Sequence, residues 1–437
     1  MKPEIKQRIE QIRRGEIPAG YKKTKAGIVP LEWKESRFKF LFNRINRKNN
    51  EGNTNVLTIS AQHGLINQED FFHKTIASDD KSNYFLLYRG DFAYNKSYSS
   101  GYPFGALKRL DRYDKGIVSP LYICFSANKE NKCPDFYLHY FESGKLNSEI
   151  QAVAQEGARN HGLLNISIDD FFNSVILVPP LHEQQRIVEI LSTQDKVIEL
   201  YEKKIEQLQL LKKICMTKMF PKEGSLVPEV RFPEFTAPWE QRKLGEVSDL
   251  RGRIGFRGYK RTDIVAVHEG AISFSPSDID DDGHVSLHDN CYISYNKYEE
   301  SPEIKVKIGD ILFTKTASIG KIGYISVLHE LATINPQIAL ITPKQNIEGY
   351  FLFLVLRSSA FMGKVLGISG GSSILTLSQE KLKELFFVVP HGREQQKIKD
   401  LFLYFDNLIT LNKRRLDEEK RKKKALMQLL LTGIVRV

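Results

Sequence analysis

The sharpest chemical pattern in the sequence is acidic: Asp278-Ile279-Asp280-Asp281-Asp282-Gly283, with Asp289 in the twelfth place. Carboxylates at alternate positions around a glycine are how a calcium loop surrounds its ion, although such a loop closes on a bidentate Glu. A calcium hand also needs a helix on either side. The flanks Ala271-Ile272-Ser273-Phe274 and Cys291-Tyr292-Ile293-Ser294-Tyr295 read as strands instead. The segment is therefore expected to be a hairpin turn with Gly283 at positive φ. Phosphate chemistry finds no cradle. Gly320-Lys321-Ile322 lacks the hydroxyl that meets magnesium in a P-loop, and the glycines of Gly252-Arg253-Ile254-Gly255-Phe256-Arg257-Gly258 are wrongly spaced for a dinucleotide turn. Asn335-Pro336-Gln337 lacks the second Pro and the aromatic residue with which an amino-methyltransferase grips a flipped base. A nuclease triad of Asp282, Glu303 and Lys305 rests on a Glu-x-Lys spacing that chance supplies freely. Cys124, Cys133, Cys215 and Cys291 show no paired metal-ligand spacing. The residues name no catalytic centre and no metal site.

Residues suited to binding are more plentiful. Arg251, Arg253, Arg257, Lys260 and Arg261 crowd a Gly-rich loop that carries aromatic residues. Tyr94, Asn95, Lys96 and Tyr98 form a polar-aromatic cluster, and Arg159-Asn160-His161 another. Basic side chains neutralise phosphates while Asn and aromatic groups reach base edges, although the same residues also suit a solvated loop. The run from Lys413 to Lys424 suits the wet face of a helix. The whole chain has 64 Lys and Arg against 53 Asp and Glu, a net +11, which favours polyanionic partners such as nucleic acid or anionic lipid.

The 437 residues are 41% apolar and 27% charged, which excludes a disordered or collagen-like chain and allows two or three globular domains. The opening MKPEIKQRIEQIRRGEIP has no apolar signal core, and no apolar run reaches the roughly 18 residues of a membrane span. A cytoplasmic protein with no membrane partner is expected.

What must position the binding residues is a duplicated framework. Val178-Pro179-Pro180-Leu181-His182-Glu183-Gln184-Gln185-Arg186-Ile187 returns as Val389-Pro390-His391-Gly392-Arg393-Glu394-Gln395-Gln396-Lys397-Ile398. The 211-residue offset holds without a gap from 178 to 220, with 12 identities in those 43 positions, well above chance. Weaker echoes precede it: Gly90-Asp91 with Tyr94-Asn95-Lys96 answers Gly309-Asp310 with Phe313-Thr314-Lys315, which adds Thr314 and Lys315 to the candidate contact residues, and Trp33 answers Trp239. From Ile187, steps of four and three reach Leu191, Gln194, Ile198, Tyr201, Ile205, Leu208, Lys212, Cys215 and Met219. The second copy gives Ile398, Phe402, Phe405, Ile409, Asn412, Leu416, Glu419, Lys423, Leu426 and Leu430. A 3.5-residue period predicts two long helices that pack on each other. Each starts beside Pro179 or Pro390, with Glu183-Gln184 and Glu394-Gln395 in its first turn. Runs such as Asn55–Ile59, Leu121–Phe125 and Ile338–Thr342 predict strands. Asp135–Phe141 and Tyr350–Leu356 read as short core helices. The fold class is α+β: two tandem globules separated and followed by long helices that form an antiparallel coiled-coil spacer. The expected division is an N-terminal helical segment 1–28, globule 29–178, helix 179–225, globule 226–388 and helix 389–437.

This architecture resembles the specificity subunit of a type I restriction–modification enzyme. The Pro-x-x-x-Glu-Gln-Gln-x-Ile helices, the leading Trp residues and the Gly-Asp segments carry the resemblance, which covers essentially the whole chain. It implies a non-catalytic subunit whose two target-recognition domains each read one half of a split, asymmetric site on double-stranded DNA. Two modification subunits would dock on the helices and methylate adenine with S-adenosylmethionine, and restriction subunits would add ATP- and Mg-dependent translocation and cleavage. The chain itself would bind no cofactor. About 33 helical residues at 1.5 Å each span roughly 50 Å, the scale of one B-DNA turn of about 34–36 Å. Shortening both helices by whole heptads is then expected to change the spacer length of the methylated site and leave its half-sites unaltered. A stand-alone DNA-binding regulator and a nuclease are the competing readings.

Overall fold

Short β-rich runs between glycines build the same four-stranded antiparallel sheet twice. The computed structural model describes residues 3–60, 64–72, 80–98, 101–154, 164–253, 258–316, 319–368 and 377–437. They divide into two units, Met1–Glu202 with Arg414–Val437, and Lys203–Lys413. In the first unit the strand order is Phe42–Ile45, Ile123–Ala127, Phe92–Asn95, Ala106–Arg109. In the second it is Ser248–Gly252, Ile338–Pro343, Ile311–Thr314, Ile322–Tyr324.

The Gly-Asp echo lies just before an inner strand in both sheets. Gly90 and Gly309 have φ of 92° and 94°, a conformation that costs a residue with a Cβ and costs glycine little. The aspartate that follows turns inward and ties the loop. Asp91 Oδ2 accepts the Tyr88 N–H at 2.8 Å, and Asp310 Oδ2 accepts the Lys307 N–H at 2.7 Å.

Each sheet is covered by a short aromatic helix. Pro134–Glu142 buries Phe136, Tyr137, His139, Tyr140 and Phe141, and Gly349–Arg357 buries every residue from Tyr350 to Leu356. In the first unit Phe38 stands at the centre of a ring cluster, 4.5 to 5.7 Å from Phe42, Phe125, Phe141, Phe171 and Phe172. Edge and offset ring contacts of this kind add to simple burial.

A further strand pair closes each unit. Lys34–Arg37 pairs with Val175–Val178, setting Lys34 opposite Val178. Glu240–Lys243 pairs with Phe386–Val389, setting Glu240 opposite Val389. Because Trp33 and Trp239 immediately precede these strands, the pairing delivers each tryptophan to the start of a long helix.

The long helices run Leu181–Lys218 and Gly392–Leu430. They begin at equivalent positions, although His391-Gly392-Arg393 replaces Pro180-Leu181-His182. Glu183 and Gln184 donate their N–H groups to Pro180 O, as Glu394 and Gln395 do to His391 O. Each unit takes a stretch of both helices, which the linear division at 178, 225 and 388 assigns to separate segments. Lateral packing sets the units, and a helix has neighbours all along its length.

The acidic segment is a turn. Ile279 bridges Val285, Gly283 has φ of 86°, and Asp280 accepts the His284 N–H at 2.8 Å. Among the described residues no group of three or more His, Cys, Asp or Glu is placed to hold a metal ion. Also among them, no single helix is long and apolar enough to cross a membrane.

Candidate nucleic-acid interface and helix pairing

Lys96 and Lys315 occupy matching places at the ends of the inner strands Phe92–Asn95 and Ile311–Thr314. The Lys96 carbonyl accepts the Leu164 N–H at 3.0 Å, and the Lys315 carbonyl accepts the Leu377 N–H at 3.1 Å. Both side chains are half-buried, and burial pulls the Lys315 ammonium below the ordinary lysine range. A Cβ at Gly252 would sit 2.1 Å from Gln379 Nε2 and 3.1 Å from Lys315 Nζ, so the Arg251 loop, Gln379 and Lys315 converge. Arg251 is 43% exposed and pairs with Asp249 at 3.0 Å. Lys260, Arg261 and Tyr98 are exposed, and half-buried Asn95 accepts the Ser97 N–H at 3.1 Å. These residues can reach a polyanion.

Three of the expected contact residues cannot. Tyr94 is 1% exposed, stacks on Phe171 at 5.2 Å and donates its hydroxyl to Phe104 O at 2.7 Å. Thr314 is fully buried, and its hydroxyl oxygen accepts the Lys321 N–H at 2.9 Å. Arg253 is also buried, its guanidinium donating to Ile334 O at 3.0 Å and Thr333 Oγ1 at 3.1 Å. The corrections at Tyr94 and Thr314 share one cause, since inner strands are covered on both faces and polar tips there bond within the framework; Arg253, just past the edge strand Ser248–Gly252, is spent on the strand Ala332–Ile334. Arg159, Asn160, His161 and Arg257 lie outside the described residues.

The helix seam follows the expected period. Pro179 at the helix entry is buried, as are Ile187, Leu191, Ile205, Ile398, Phe402, Phe405 and Ile409, and Ile198 and Leu416 are partly covered. In the first unit Lys423 meets Asp195 at 2.6 Å, and Lys420 meets Glu202 at 2.8 Å. In the second, Lys212 pairs with Asp406, and the Phe220 and Phe402 rings lie 6.1 Å apart. Residue numbers rise along one helix as they fall along the other, so in each unit the two stretches run antiparallel.

The ion pairs went unread in the sequence, although their signal was present. Asp195 and Asp406 are among the identities of the repeat, and so are Lys212 and Lys423. Each pair takes a lysine from one helix and an aspartate from the other. Lys423 also meets Glu142 at 3.1 Å. Burial alone would lower the Lys423 pKa, but the carboxylates of Glu142 and Asp195 hold it above the ordinary value.

Glu183 and Glu394 are spent inside their own units. Glu183 accepts from Trp33 Nε1 at 2.9 Å and from Arg436 Nε at 2.6 Å. Glu394 accepts from Trp239 Nε1 at 3.3 Å and from both Nε and Nη2 of Arg231 at 2.7 Å. Gln184 and Gln395 donate Nε2 to Pro179 O and Pro390 O at 2.8 and 2.9 Å. These first-turn residues lock tryptophan and helix together, with both carboxylates and both amide nitrogens engaged inside their own units. The apolar groups left to solvent on the first long helix are others, among them Leu210, Leu211 and Ile214.

One site near the helix pair is pH-sensitive. His139 is buried, and its Nδ1 lies 3.9 Å from Asp195 Oδ2, beyond hydrogen-bond range. Burial lowers its pKa below 6.5, against the opposing pull of Asp195. A depressed folded-state pKa means that the unfolded chain takes the proton first as pH falls. The contribution is complete above pH 6.5 and is lost on acidification, by at most about 1.4 kcal/mol per pH unit. Hydrogen exchange at Phe136–Phe141 between pH 7 and 5.5 is expected to show this loss, and His139→Gln to flatten it.

Comparison with known proteins places these features in a wider group. Residues 30–210 and 237–420 each match the sequence profile of the type I restriction modification DNA specificity domain. The specificity subunit of the type I restriction enzyme MjaVIII of Methanocaldococcus jannaschii is 29% identical over 343 residues, spanning 74% of this chain and 75% of its own. A putative MjaX specificity subunit from the same organism is 24% identical over 438 residues, spanning 95% and 97%. A chain solved in work on complex assembly and conformational transition of the type I R-M system covers 93% of this chain and 99% of its own, with 18% identity and a TM-score of 0.57. The S subunit of the type I system of M. genitalium covers 91% and 96%, with 16% identity and a TM-score of 0.51. At such identities the structural likeness is one of fold.

Proposed function

Because this chain belongs to the type I restriction modification DNA specificity domain family, we propose that each of its two units reads one half of a bipartite, asymmetric site on double-stranded DNA. The observation that carries the reading is the duplication itself. Two sheets of identical strand order each present a lysine after a Gly-Asp turn, and each is locked to a long helix by a Trp–Glu–Arg cluster. Reading two half-sites needs two such readers and no catalytic group in either.

The chain acts as a non-catalytic subunit. It directs adenine methylation or restriction by partner subunits, which supply S-adenosylmethionine, ATP and Mg. Two modification subunits dock on the helices, and the exposed Leu210, Leu211 and Ile214 offer apolar surface for that contact. The restriction subunits join the same complex in the cytoplasm. Asn95, Lys96, Tyr98, Arg251, Lys260 and Lys315 remain the DNA-facing candidates. Lysine and arginine there neutralise phosphates, and the net +11 supports encounter with the duplex.

Methylated adenines mapped in DNA from cells with and without this chain provide the test. One split motif is expected to lose its methylation completely when the chain is absent. A methylation map unchanged by its loss, or metal-dependent cleavage by the purified chain alone, would refute the proposal.

A further inference from the structure

In the second unit's sheet Gly252 lies opposite Ala339 and Thr314 lies opposite Ile338, so Lys315 leaves the sheet at the same end as Gly252. A short helix, Gln379–Lys383, is tied over this end by the bond from the Leu377 N–H to Lys315 O. Ser378 caps that helix by accepting the Lys381 N–H, and Gln379 follows it. Gln379 Nε2 and Lys315 Nζ then meet over Gly252, where a Cβ would sit 2.1 and 3.1 Å from them. Only a residue without a Cβ lets the two side chains come this close.

Neither side chain is spent on the framework. Both are half-buried, and neither has a hydrogen-bond or ion-pair partner among the described residues. Exposed Glu380 attracts the Lys315 ammonium only from beyond ion-pair range. Neither polar end is sealed from solvent. Half-burying a cation and an amide without partners costs free energy that a ligand can recover.

The first unit lacks this pair. Ile168 follows the capping Ser167 where Gln379 follows Ser378. Asn46, just beyond the end of the strand Phe42–Ile45, carries a side chain where Gly252 has none. A feature of the shared framework would stand in both units, and this one belongs to the second alone.

We infer that Gln379 and Lys315 determine specificity by donating to O6 and N7 of one guanine in the major groove of the half-site that the second unit reads. The inference rests on the DNA reading proposed above. An ammonium can only donate, and Gln379 turns its own donor toward the same place. Guanine alone presents two adjacent acceptors on that edge. Adenine and cytosine place an amino donor there, and thymine a methyl group beside one acceptor.

Methylated adenines mapped in cells carrying the full chain, as wild type or as Gln379→Ala, provide the test. At one guanine of a single half-site the variant is expected to lose about fivefold or more in discrimination against other bases, with the other half-site unaltered. Lys315→Met keeps the apolar stem and should relax the same position. The melting temperature of Gln379→Ala should hold, because its amide has no internal partner. Duplexes with 7-deazaguanine at that position lack the N7 acceptor. They are expected to bind the complex assembled on the wild-type chain about fivefold more weakly than unmodified duplexes, and the Gln379→Ala complex equally well. A loss of methylation that is uniform over all sites, with no response to 7-deazaguanine, would mark a phosphate contact and overturns the inference while the DNA reading stands. A chain-dependent motif unaltered by Gln379→Ala does the same. If no motif depends on the chain, the DNA reading falls and this inference with it.

Discussion

Glu394→Ala is expected to cost the second unit about 3–5 kcal/mol, the range for removing one partner of a buried ion pair. Glu394 is 2% exposed at its side chain and Arg231 is 12% exposed. The substitution leaves the guanidinium and the Trp239 N–H without the carboxylate that satisfies both. Most of the penalty is the stranded charge, not the lost attraction. Glu394→Gln retains an acceptor for Trp239 and should lose distinctly less. Denaturant unfolding followed by tryptophan fluorescence measures both variants. A loss below about 1 kcal/mol for Glu394→Ala would mean that the cluster is solvated in solution, like an ordinary surface pair. Glu183→Ala is the matched experiment on Trp33 and Arg436.

The second large effect is on specificity. Replacing residues 240–389 with the corresponding segment of another family member is expected to change one half of the methylated motif and leave the other half unaltered. The cut points lie at the ends of the paired strands Glu240–Lys243 and Phe386–Val389, so Trp239, Glu394 and both helices stay in place. Each unit has its own aromatic core, one around Phe38 and Phe125, the other around Phe351 and Trp239, so the exchanged segment brings most of one interior while Phe220, Trp239 and Phe402, which complete it, stay in place. Methylated-adenine mapping reads the outcome. If both half-sites change together, the two units do not read independently and the division of labour fails.

Much of the framework was legible because its signals are local or periodic. A 3.5-residue rhythm needs only the chain's own geometry to mark a buried stripe, and the seam from Ile187 to Met219 lies where that rhythm sets it. Gly283 was legible for a similar reason, since a turn at positive φ admits few other residues. The flanks of Asp278–Asp289 were enough to separate a turn from a calcium hand.

The binding residues were harder to read. Tyr94, Thr314 and Arg253 have the side chains of a nucleic-acid contact, yet all three point into the framework. Residue type gives a side chain its capacity to bond, and only packing decides where that capacity is spent. An inner strand covered on both faces shows no alternation that would reveal which tips are hidden.

Sequence by itself determined the duplication, the α+β class, the helix starts and the seam, all of which follow from spacing along one chain. Tertiary structure alone decided which arginines complete the tryptophan clusters. Arg436 lies 253 positions from Glu183, and Arg231 lies 163 from Glu394. Bonds across such separations leave no periodic trace, because they form only after both sheets and both helices are in place. The same holds for Gln184 and Gln395, which stand in matching Glu-Gln-Gln runs. One meets a backbone amide and the other lines a pocket, a difference set by how each short core helix begins.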